Sequence, residues 1–577
     1  MSSMSSLYVG VSGLNVSQAA LNTSAHNLAN VDTKGYVRQQ PIQTDFRYAK
    51  LGDSYASTMQ KGMGADFATI KQVRDTFLDQ AYRQELGRGA YYDAQYNAVQ
   101  EIEGLFGELE GVSFQDTMNN FWYTLQELAK EPDSVVTRAS LIQTAVSFIE
   151  RSENISRQLN DYQVNLNSQI KEQVNRINEI GKSIKDLNTK IRHYEAAGVE
   201  KANDLRDERN NLLDELSKMV NITYKENAVG VVTVNVEGTV FVSEDTWYRM
   251  DTIPVDETSE MLKPVWPTHG DVDVFNLDRV PSSENNTDIG SLKGLLVARG
   301  YKKANYTDIP KYDPEVESEA QYQVRVAEFN RTINASVVMS TQAQFDQLIH
   351  GIVTLINDIF SPNKEVTLTD GTKAVILDND TAPVGMDSAK TRGQALFSRK
   401  SMDNYGEEEL ITYVDENGAN VTVSSFFFNE ENPEDNYSLF TIGEIEVNPA
   451  IMQNYDLIPL SDNDGSGGFD PEAVKKLMDV WHNAFSTLSP NTLTQYNFND
   501  YYTAFTSEMA NRGERFNTIG DNQASMVESI NNKRLEVSGV SSDEELTNLI
   551  KYQHAYNASS RYVNTVSQML EDIINKL

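Results

Sequence analysis

The chain has 577 residues, no cysteine and a formal net charge of −35 at pH 7. The lack of cysteine excludes disulfides, thiolate catalysis and zinc–thiolate sites. The acidic balance argues against nucleic acid or an anionic membrane surface as a partner, because both require a basic face. No apolar run approaches the ~20 residues that span a bilayer. Residues 1–6 contain no Lys or Arg and so lack the n-region of a secretory signal, which by itself indicates a cytoplasmic protein.

The first predicted element is an N-terminal helix with a heptad stripe. Its stripe positions alternate in steps of four and three, with a polar interruption at Gln18. Gly10 and Gly13 weaken an isolated helix by roughly 1 kcal/mol each, but small residues also let another backbone come close. The stripe consists of Leu7, Val11, Leu14, Gln18, Leu21, Ala25 and Leu28.

The centre of the chain combines long helices with β-hairpins. The segment 132–197 predicts one helix of on the order of 90 Å, which suits a rod or coiled coil, and a shorter helix follows at 204–220. Turn residues between alternating apolar residues then predict hairpins at Glu237-Gly238, Asp370-Gly371 and Asn417-Gly418. A further helix is predicted at 332–360, and helices return from about residue 470.

The C-terminal segment repeats the heptad pattern up to the last residue. Ser542 followed by Glu545 matches a capping box, which predicts the start of this helix. Because chain ends are usually polar, this apolar end is expected to be buried. We predict that the two terminal helices pair with each other and that neighbouring copies complete the burial. The C-terminal stripe consists of Leu549, Tyr552, Tyr556, Ser559, Val563, Val566, Leu570, Ile573 and Leu577.

A turn-rich segment after the first helix carries a more specific pattern. Asn30, Asp32 and Gly35 are turn formers, so a plain helix stop is one interpretation. Together with the preceding helix, however, the segment resembles the N-terminal signature of flagellar rod, hook and hook-associated proteins. The residues that carry this resemblance are Ser12-Gly13-Leu14-Asn15, Gln18-Ala19-Ala20-Leu21-Asn22-Thr23, Asn27-Leu28-Ala29-Asn30 and Gly35-Tyr36-Val37-Arg38-Gln39.

The C-terminus independently resembles the terminal helix of the same family, from Ser538-Gly539-Val540 through Tyr556-Asn557-Ala558 to Met569-Leu570. Segments 74–83, 121–145 and 205–217 resemble the hook-associated branch, and the long helix after Pro132 fits it as well. The resemblance covers residues 5–225 and 500–577, whereas 226–480 matches poorly.

The resemblance implies a multidomain α+β subunit without enzymatic activity or cofactor. The terminal helices would pair as a stem, and β-rich domains would be inserted between them. Residues 1–45 with 540–577 would form an inner-tube domain, and 46–225 with 480–539 a long-helix domain, with 331–360 as a further candidate part. Residues 226–330 and 361–479 would form two outer β-rich domains.

The same resemblance implies a structural adaptor at the hook–filament junction, exported unfolded through the flagellar type III channel. The implied partners are further copies of the chain, the hook protein below, and a second hook-associated protein or filament subunits above. An export chaperone would bind the C-terminal helix.

The candidate site is therefore a self-assembly surface. Leu7, Leu14, Leu21 and Leu28 are expected to pack against Tyr556, Val563, Leu570 and Leu577. The N-terminal signature is expected to set the turn and contacts to neighbouring copies through Asn30, Gly35, Tyr36, Arg38 and Gln39. The remaining candidate assembly residues are Val11, Leu549, Tyr552, Val566 and Ile573.

Three other functions stay open: a hook or distal-rod protein, an axial protein with an enzyme inserted in 226–480, and a cytoplasmic coiled-coil scaffold. The acidic segment Asp462 to Gly468 resembles part of a calcium loop. An EF-hand loop needs Glu at its twelfth position, which here is Ala473. A flexible acidic turn is therefore favoured over a calcium site, and no metal site is predicted.

Overall fold

Helices occupy both ends of the chain in the computed structural model, and the strands lie between them. The structure describes residues 2–54, 57–107, 113–197, 201–257, 259–415, 418–462 and 468–576. The predicted multidomain α+β class is confirmed. Among the described residues, no helix combines the length and hydropathy needed to cross a membrane.

The helical elements include one of 61 residues, α4, near the middle of the N-terminal half. In chain order the helices are α1 Ser2–Ala29, α2 Thr76–Phe106, α3 Phe114–Lys130, α4 Val135–Glu195, α5 Asn203–Met219, α6 Ser291–Arg299, α7 Glu319–Arg331, α8 Val337–Phe360, α9 Pro449–Gln453, α10 Pro471–Asp479, α11 Phe498–Ser538 and α12 Ser542–Lys576.

The strands are mostly short and pair antiparallel. In chain order they are β1 Gln39–Asp45, β2 Tyr48–Ser54, β3 Ser57–Gly62, β4 Ala65–Gln72, β5 Ile222–Glu226, β6 Val232–Val236, β7 Thr239–Val242, β8 Asp251–Pro254, β9 Leu262–Trp266, β10 Val272–Asp273, β11 Asn363–Leu368, β12 Lys373–Leu377, β13 Phe397–Arg399, β14 Tyr405–Val414, β15 Asn420–Phe428, β16 Ile445–Val447, β17 Ser486–Thr487 and β18 Gln495–Tyr496.

The terminal helices α1 and α12 pack against each other in antiparallel orientation, which confirms the predicted pairing. The two glycines of α1 allow a close approach. A Cβ at Gly10 would lie 2.6 Å from Val563 Cγ2, and one at Gly13 would lie 2.8 Å from Ser559 Oγ. Larger residues at these positions would force the helices apart.

A β-ribbon that the sequence did not predict follows α1. β1 pairs with β4, and β2 pairs with β3. Backbone hydrogen bonds from Phe46 to Gly64 (3.0 Å) and from Met63 to Arg47 (2.8 Å) join the two pairs into one continuous hairpin. Its sequence is largely polar, and a lone hairpin is only marginally stable in water, so its packing along α1 is what stabilises it.

The main hydrophobic core lies in a bundle built on α2, α3, α4, α8 and α11. Aromatic pairs fill it: Phe121 stacks on Phe148 with ring centroids 5.3 Å apart, and Trp122 stacks on Trp481 at 5.2 Å. The buried residues of this core run from Val99 to Met509. The bundle therefore has its own core, separate from the terminal helix pair.

The helix boundaries differ slightly from those predicted. The long helix begins at Val135 rather than at Pro132, because Ser134 caps it by accepting a hydrogen bond from the Thr137 amide (3.4 Å). The predicted capping box at Ser542 and Glu545 is wrong. Ser541 is the cap, since its hydroxyl accepts from the Glu544 amide (3.4 Å).

The apolar stripe predicted for the long helix is buried along most of its length, from Phe148 to Ile191. Tyr194, the last residue of the predicted stripe, is 64% exposed. The helix thus serves as the shared wall of the bundle and of the first β-rich block.

The three hairpins predicted from turn dipeptides are present. β6 pairs with β7, β11 with β12, and β14 with β15. Glu237 and Gly238 both adopt positive φ (49° and 84°), as the tight two-residue turn requires. Asn417 lies outside the described residues, but Gly418 has φ 79°. β11, β12, β15 and β14 close into a small barrel.

Buried asparagines hold β segments against the helices. Asn178 donates to the Met250 carbonyl (2.8 Å) and accepts from the Met250 amide (2.9 Å). Asn188 makes the same pair of bonds to Val232, and Asn357 makes it to Phe397. Each side chain supplies the donor and acceptor that a neighbouring strand would offer. The backbone amide and carbonyl of Met250, Val232 and Phe397 are therefore both hydrogen-bonded.

Candidate self-assembly site

The predicted stripe of α1 is only partly covered within one chain. Leu7, Leu14, Leu21 and Leu28 are half-buried, and Val11 is 40% exposed. The fully buried apolar residues of α1 are instead Val16 and Ala20, with Gly10 at the contact with α12. A single copy therefore leaves much of this apolar stripe open to solvent.

The stripe of α12 is covered to a similar extent. Val566 is buried, whereas Ile573 is 48% exposed and Leu577 lies outside the described residues. Further apolar side chains are exposed beside the stripe: Leu546, Ile550, Met569 and Ile574. Half-buried positions are Leu549, Tyr552, Tyr556, Val563 and Leu570.

Helix α1 carries no Asp, Glu, Lys or Arg in 28 residues, although 23% of the chain is charged. Water is the favourable environment for charges, so a charged helix face resists being covered by another protein. An uncharged face with exposed Met4, Tyr8 and Val11 has no such penalty. This face is therefore suited to contact with another protein surface.

Asn27 and Asn30 both contribute hydrogen bonds to the turn after α1. The Asn27 side chain accepts from the Tyr36 hydroxyl (2.7 Å) and from the Gln39 amide (3.0 Å), and it donates to the Gln39 carbonyl (2.8 Å). Burial raises the pKa of Tyr36 well above its ordinary value, so its hydroxyl keeps the proton that it donates. Asn30 makes local contacts, donating to the His26 carbonyl (2.9 Å).

Gly35 is required by both conformation and space. Its φ of 79° lies in the left-handed region, and a Cβ would come within 2.1 Å of the Asn211 Oδ1 on α5. The next residues continue against α5, where the Val37 amide donates to Asp207 (3.3 Å). The turn thereby attaches the terminal helix pair to the helical bundle.

Arg38 joins the two terminal segments within one chain. Its guanidinium contacts the carboxylates of Glu544 and Glu545, each at 2.9 Å, and its amide donates to the Ser538 carbonyl (2.8 Å). These contacts lie within the chain and hold the elbow between α11 and α12. The contacts of Tyr36 and Arg38 to neighbouring copies stay a prediction.

A network of three arginines and two aspartates lies just below this elbow. Arg534 on α11 contacts Asp79 on α2 (2.7 Å) and Asp214 on α5 (3.0 Å). Asp79 also contacts Arg74 (3.0 Å), and Asp214 also contacts Arg83 (2.6 Å). The network ties together three helices that are far apart in sequence.

Asp207 has the most perturbed carboxyl group of this region. Burial raises its pKa to about 7, from an ordinary value of 3.8, although hydrogen bonds from Val37 and Gln72 and the nearby Arg74 act in the opposite direction. Between pH 3.8 and about 7, Asp207 is therefore protonated in the folded protein and ionised in the unfolded chain.

We expect Asp207→Asn to change how stability depends on pH. In the wild type, the contribution of Asp207 is present below its ordinary pKa and is lost as pH rises towards 7, because only the folded state retains the proton. The variant should lose this dependence, so its free energy of unfolding relative to wild type should rise by about 3 kcal/mol from pH 4.5 to pH 8. Urea denaturation of the variant and the wild type at both pH values measures this difference.

Asp186→Asn on the exposed side of α4 is the control for Asp207→Asn. An identical shift in the free energy of unfolding of both variants would contradict the prediction.

Asn27, Asp207 and Arg534 belong to this site but were not predicted from the sequence. Asn27 and Asp207 lie in segments that carry the family resemblance, which was their only signal. Arg534 had none, because its partner Asp214 is 320 positions away along the chain.

The described residues contain no group of three or more His, Asp or Glu side chains arranged to hold a metal ion. Of the acidic segment considered as a calcium loop, residues 463–467 lie outside the described residues.

Three protein families match parts of the chain. The family described as "Flagellar hook-associated protein FlgK helical domain" matches residues 99–372. "Flagella basal body rod protein" matches residues 7–36, and "Flagellar basal body rod FlgEFG protein C-terminal" matches residues 531–577. The last two matches fall on the two terminal helices.

Relatives match over nearly the whole chain. The flagellar hook-associated protein 1 of Bacillus subtilis (strain 168) is 25% identical over 99% of both chains. Those of Salmonella typhimurium and Escherichia coli K12 are 24% and 22% identical over 98% of both chains. The solved structure of the flagellar hook junction protein FlgK from Burkholderia pseudomallei aligns with a TM-score of 0.47 and 13% identity, covering 80% of this chain and 100% of that one.

Proposed function

We infer that the chain is a member of the flagellar hook-associated protein 1 family and a structural subunit of the bacterial flagellum at the hook–filament junction. The observation that carries the inference is the match to curated relatives from end to end, including both terminal helices. A structural rather than an enzymatic role is supported by these relatives, which are named as flagellar hook-associated protein 1.

We propose that copies assemble through the terminal helix pair. Residues 1–45 with 540–577 would form the inner tube, and 46–225 with 480–539 the layer around it. Residues 226–330 and 361–479 would face outward. The uncharged, half-exposed stripe of α1 supports this arrangement, because a neighbouring copy could cover it without desolvating a charge.

The proposed partners follow from this position. The hook protein would lie below the ring of copies, and a second hook-associated protein or filament subunits above it. The subunit would leave the cell unfolded through the flagellar type III channel, which the absence of disulfides permits. An export chaperone would cover the C-terminal helix before assembly, since α12 exposes apolar side chains such as Ile550 and Ile574.

Deletion of the gene tests this function. We expect cells with hooks but without filaments, and flagellin shed into the medium, because the filament lacks its attachment point. Electron microscopy and a swimming assay measure the outcome, and complementation with the wild-type gene is the control. Normal filaments in the deletion strain would contradict the proposal, and a loss of hooks as well would favour a rod or hook protein instead.

A further inference from the structure

The outer face of the β-ribbon carries uncovered apolar side chains. Ile42 and Thr44 share one face of β1, Phe46 follows in the two-residue link to β2, and Tyr48 is the first residue of β2. Phe46 is 44% exposed and Tyr48 is 58% exposed, although both are large aromatic residues. We call the side chains of Ile42, Phe46 and Tyr48 the ribbon knob.

An apolar groove of about 710 Å³ lies on the inner side of the same ribbon. It is bounded by α1, by β4 and by the start of α5. Lys201 and Asp204 stand at its rim and are exposed. Its apolar lining comes from Ala19, Phe67, Ile70, Tyr194 and Leu205. We call it the α1–α5 groove.

A chain cannot fill this groove with its own knob. Phe67 pairs with Gln43 and Ile70 pairs with Pro41, so these lining residues share the inner face of the ribbon. Ile42 pairs with Thr69 on the outer face. Since Ile42 and the groove lining lie on opposite faces of one hairpin, docking of the knob in this groove needs a second copy.

The charges around the two surfaces are complementary. The Arg47 guanidinium lies 5.7 Å from the centre of the Phe46 ring, so a cation accompanies the knob, and exposed Asp66 lies opposite Thr44 on the same face. The groove rim carries the opposite charges: the Asp204 carboxylate is complementary to Arg47 of another copy, and the Lys201 ammonium is complementary to its Asp66. Lys201 contacts Glu195 (3.0 Å) but keeps 43% of its side chain exposed.

We propose that the ribbon knob of one copy docks into the α1–α5 groove of the next copy. Two different surfaces of the same chain then meet, which makes the contact heterologous and repeatable from copy to copy. The contact lies outside the terminal helix stripes and would set the orientation of neighbouring subunits. The inference rests on the proposed function, because assembly is what brings a second copy to the groove.

Cross-linking between copies tests the docking. The chain has no cysteine, so Thr44→Cys on the outer face of the ribbon and Ala202→Cys at the groove rim introduce the sole thiols while keeping the knob intact. After mild oxidation of isolated flagella, we expect a ladder of dimers and longer oligomers on a non-reducing gel. Each single variant should stay monomeric, and so should Thr44→Cys combined with Leu410→Cys, a position 78% exposed in the outer barrel.

Charge reversal provides a second readout on the same cross-link. Arg47→Glu should lower the yield roughly threefold by repelling Asp204, and adding Asp204→Arg should restore it. Flagella that contain the double-cysteine chain and carry filaments, but yield no ladder, would overturn the docking and leave the proposed function intact. Absence of the wild-type chain from flagella would instead refute the proposed function.

Discussion

Replacing Leu14 or Val563 with Asp should abolish filament formation while the bundle and the outer β-rich blocks stay folded. Both side chains are half-buried, and Val563 lies against Gly10 at the closest approach of α1 and α12. In the assembled state, an unpaired charge at either position costs on the order of 3–5 kcal/mol. Every copy would carry that cost, so we expect complete loss of swimming.

Two matched substitutions separate this effect from the mere presence of a new charge. Leu410→Asp in the outer barrel and Val136→Asp at the start of α4 introduce the same residues at positions that are 78% and 77% exposed. Both should swim normally. Circular dichroism and thermal unfolding of the purified Leu14→Asp and Val563→Asp chains should match the wild type in the main transition. Filaments on cells that carry either terminal variant would show that the terminal helix pair is not the assembly site.

Replacing Arg534 with Met should destabilise the folded chain by about 2 kcal/mol, because two partly buried charge-assisted contacts are lost. The loss leaves Asp79 and Asp214 with one guanidinium each, from Arg74 and Arg83. It also removes a cation that lies 4.4 Å from the centre of the Tyr82 ring. The midpoint of urea denaturation measures the change.

Lys130→Met is the control for Arg534→Met, because Lys130 and Glu127 form an exposed pair (59% and 61% of the side chain exposed). Pairs of this kind contribute about 0–1 kcal/mol. If both variants lost the same small stability, the arginine–aspartate network would not be what joins α2, α5 and α11.

The long helix α4 bears on one alternative that the sequence leaves open, a hook or distal-rod protein, because a long helix after Pro132 is part of the resemblance to the hook-associated branch. That helix has 61 residues, and the FlgK helical-domain family matches residues 99–372 around it. The relatives from Bacillus subtilis and Escherichia coli share the chain's full length and carry the hook-associated name.

Local patterns in the sequence sufficed for the elements whose stability is local. Heptad spacing predicted both terminal helices, continuous apolar periodicity predicted α4, and turn dipeptides predicted the hairpins at Gly238, Gly371 and Gly418. The ribbon formed by β1 to β4 was missed, because its polar strands have no strong pattern of their own. It is supported by contacts to α1, such as the bond from the Ala65 amide to the Ser12 hydroxyl (3.3 Å).

The sequence by itself therefore determined the family resemblance, the helical ends with their apolar stripes and the α+β class, because these depend on residues close together in the chain. Only the tertiary structure decided which stripe positions remain exposed, since burial depends on the partner helix. It also decided that Asn27, Asn178 and Asn188 bind backbone groups in or next to strands and that Arg534 contacts Asp79 and Asp214. A polar side chain in a helix has many potential partners, and folding selects one of them by bringing distant segments within hydrogen-bonding distance.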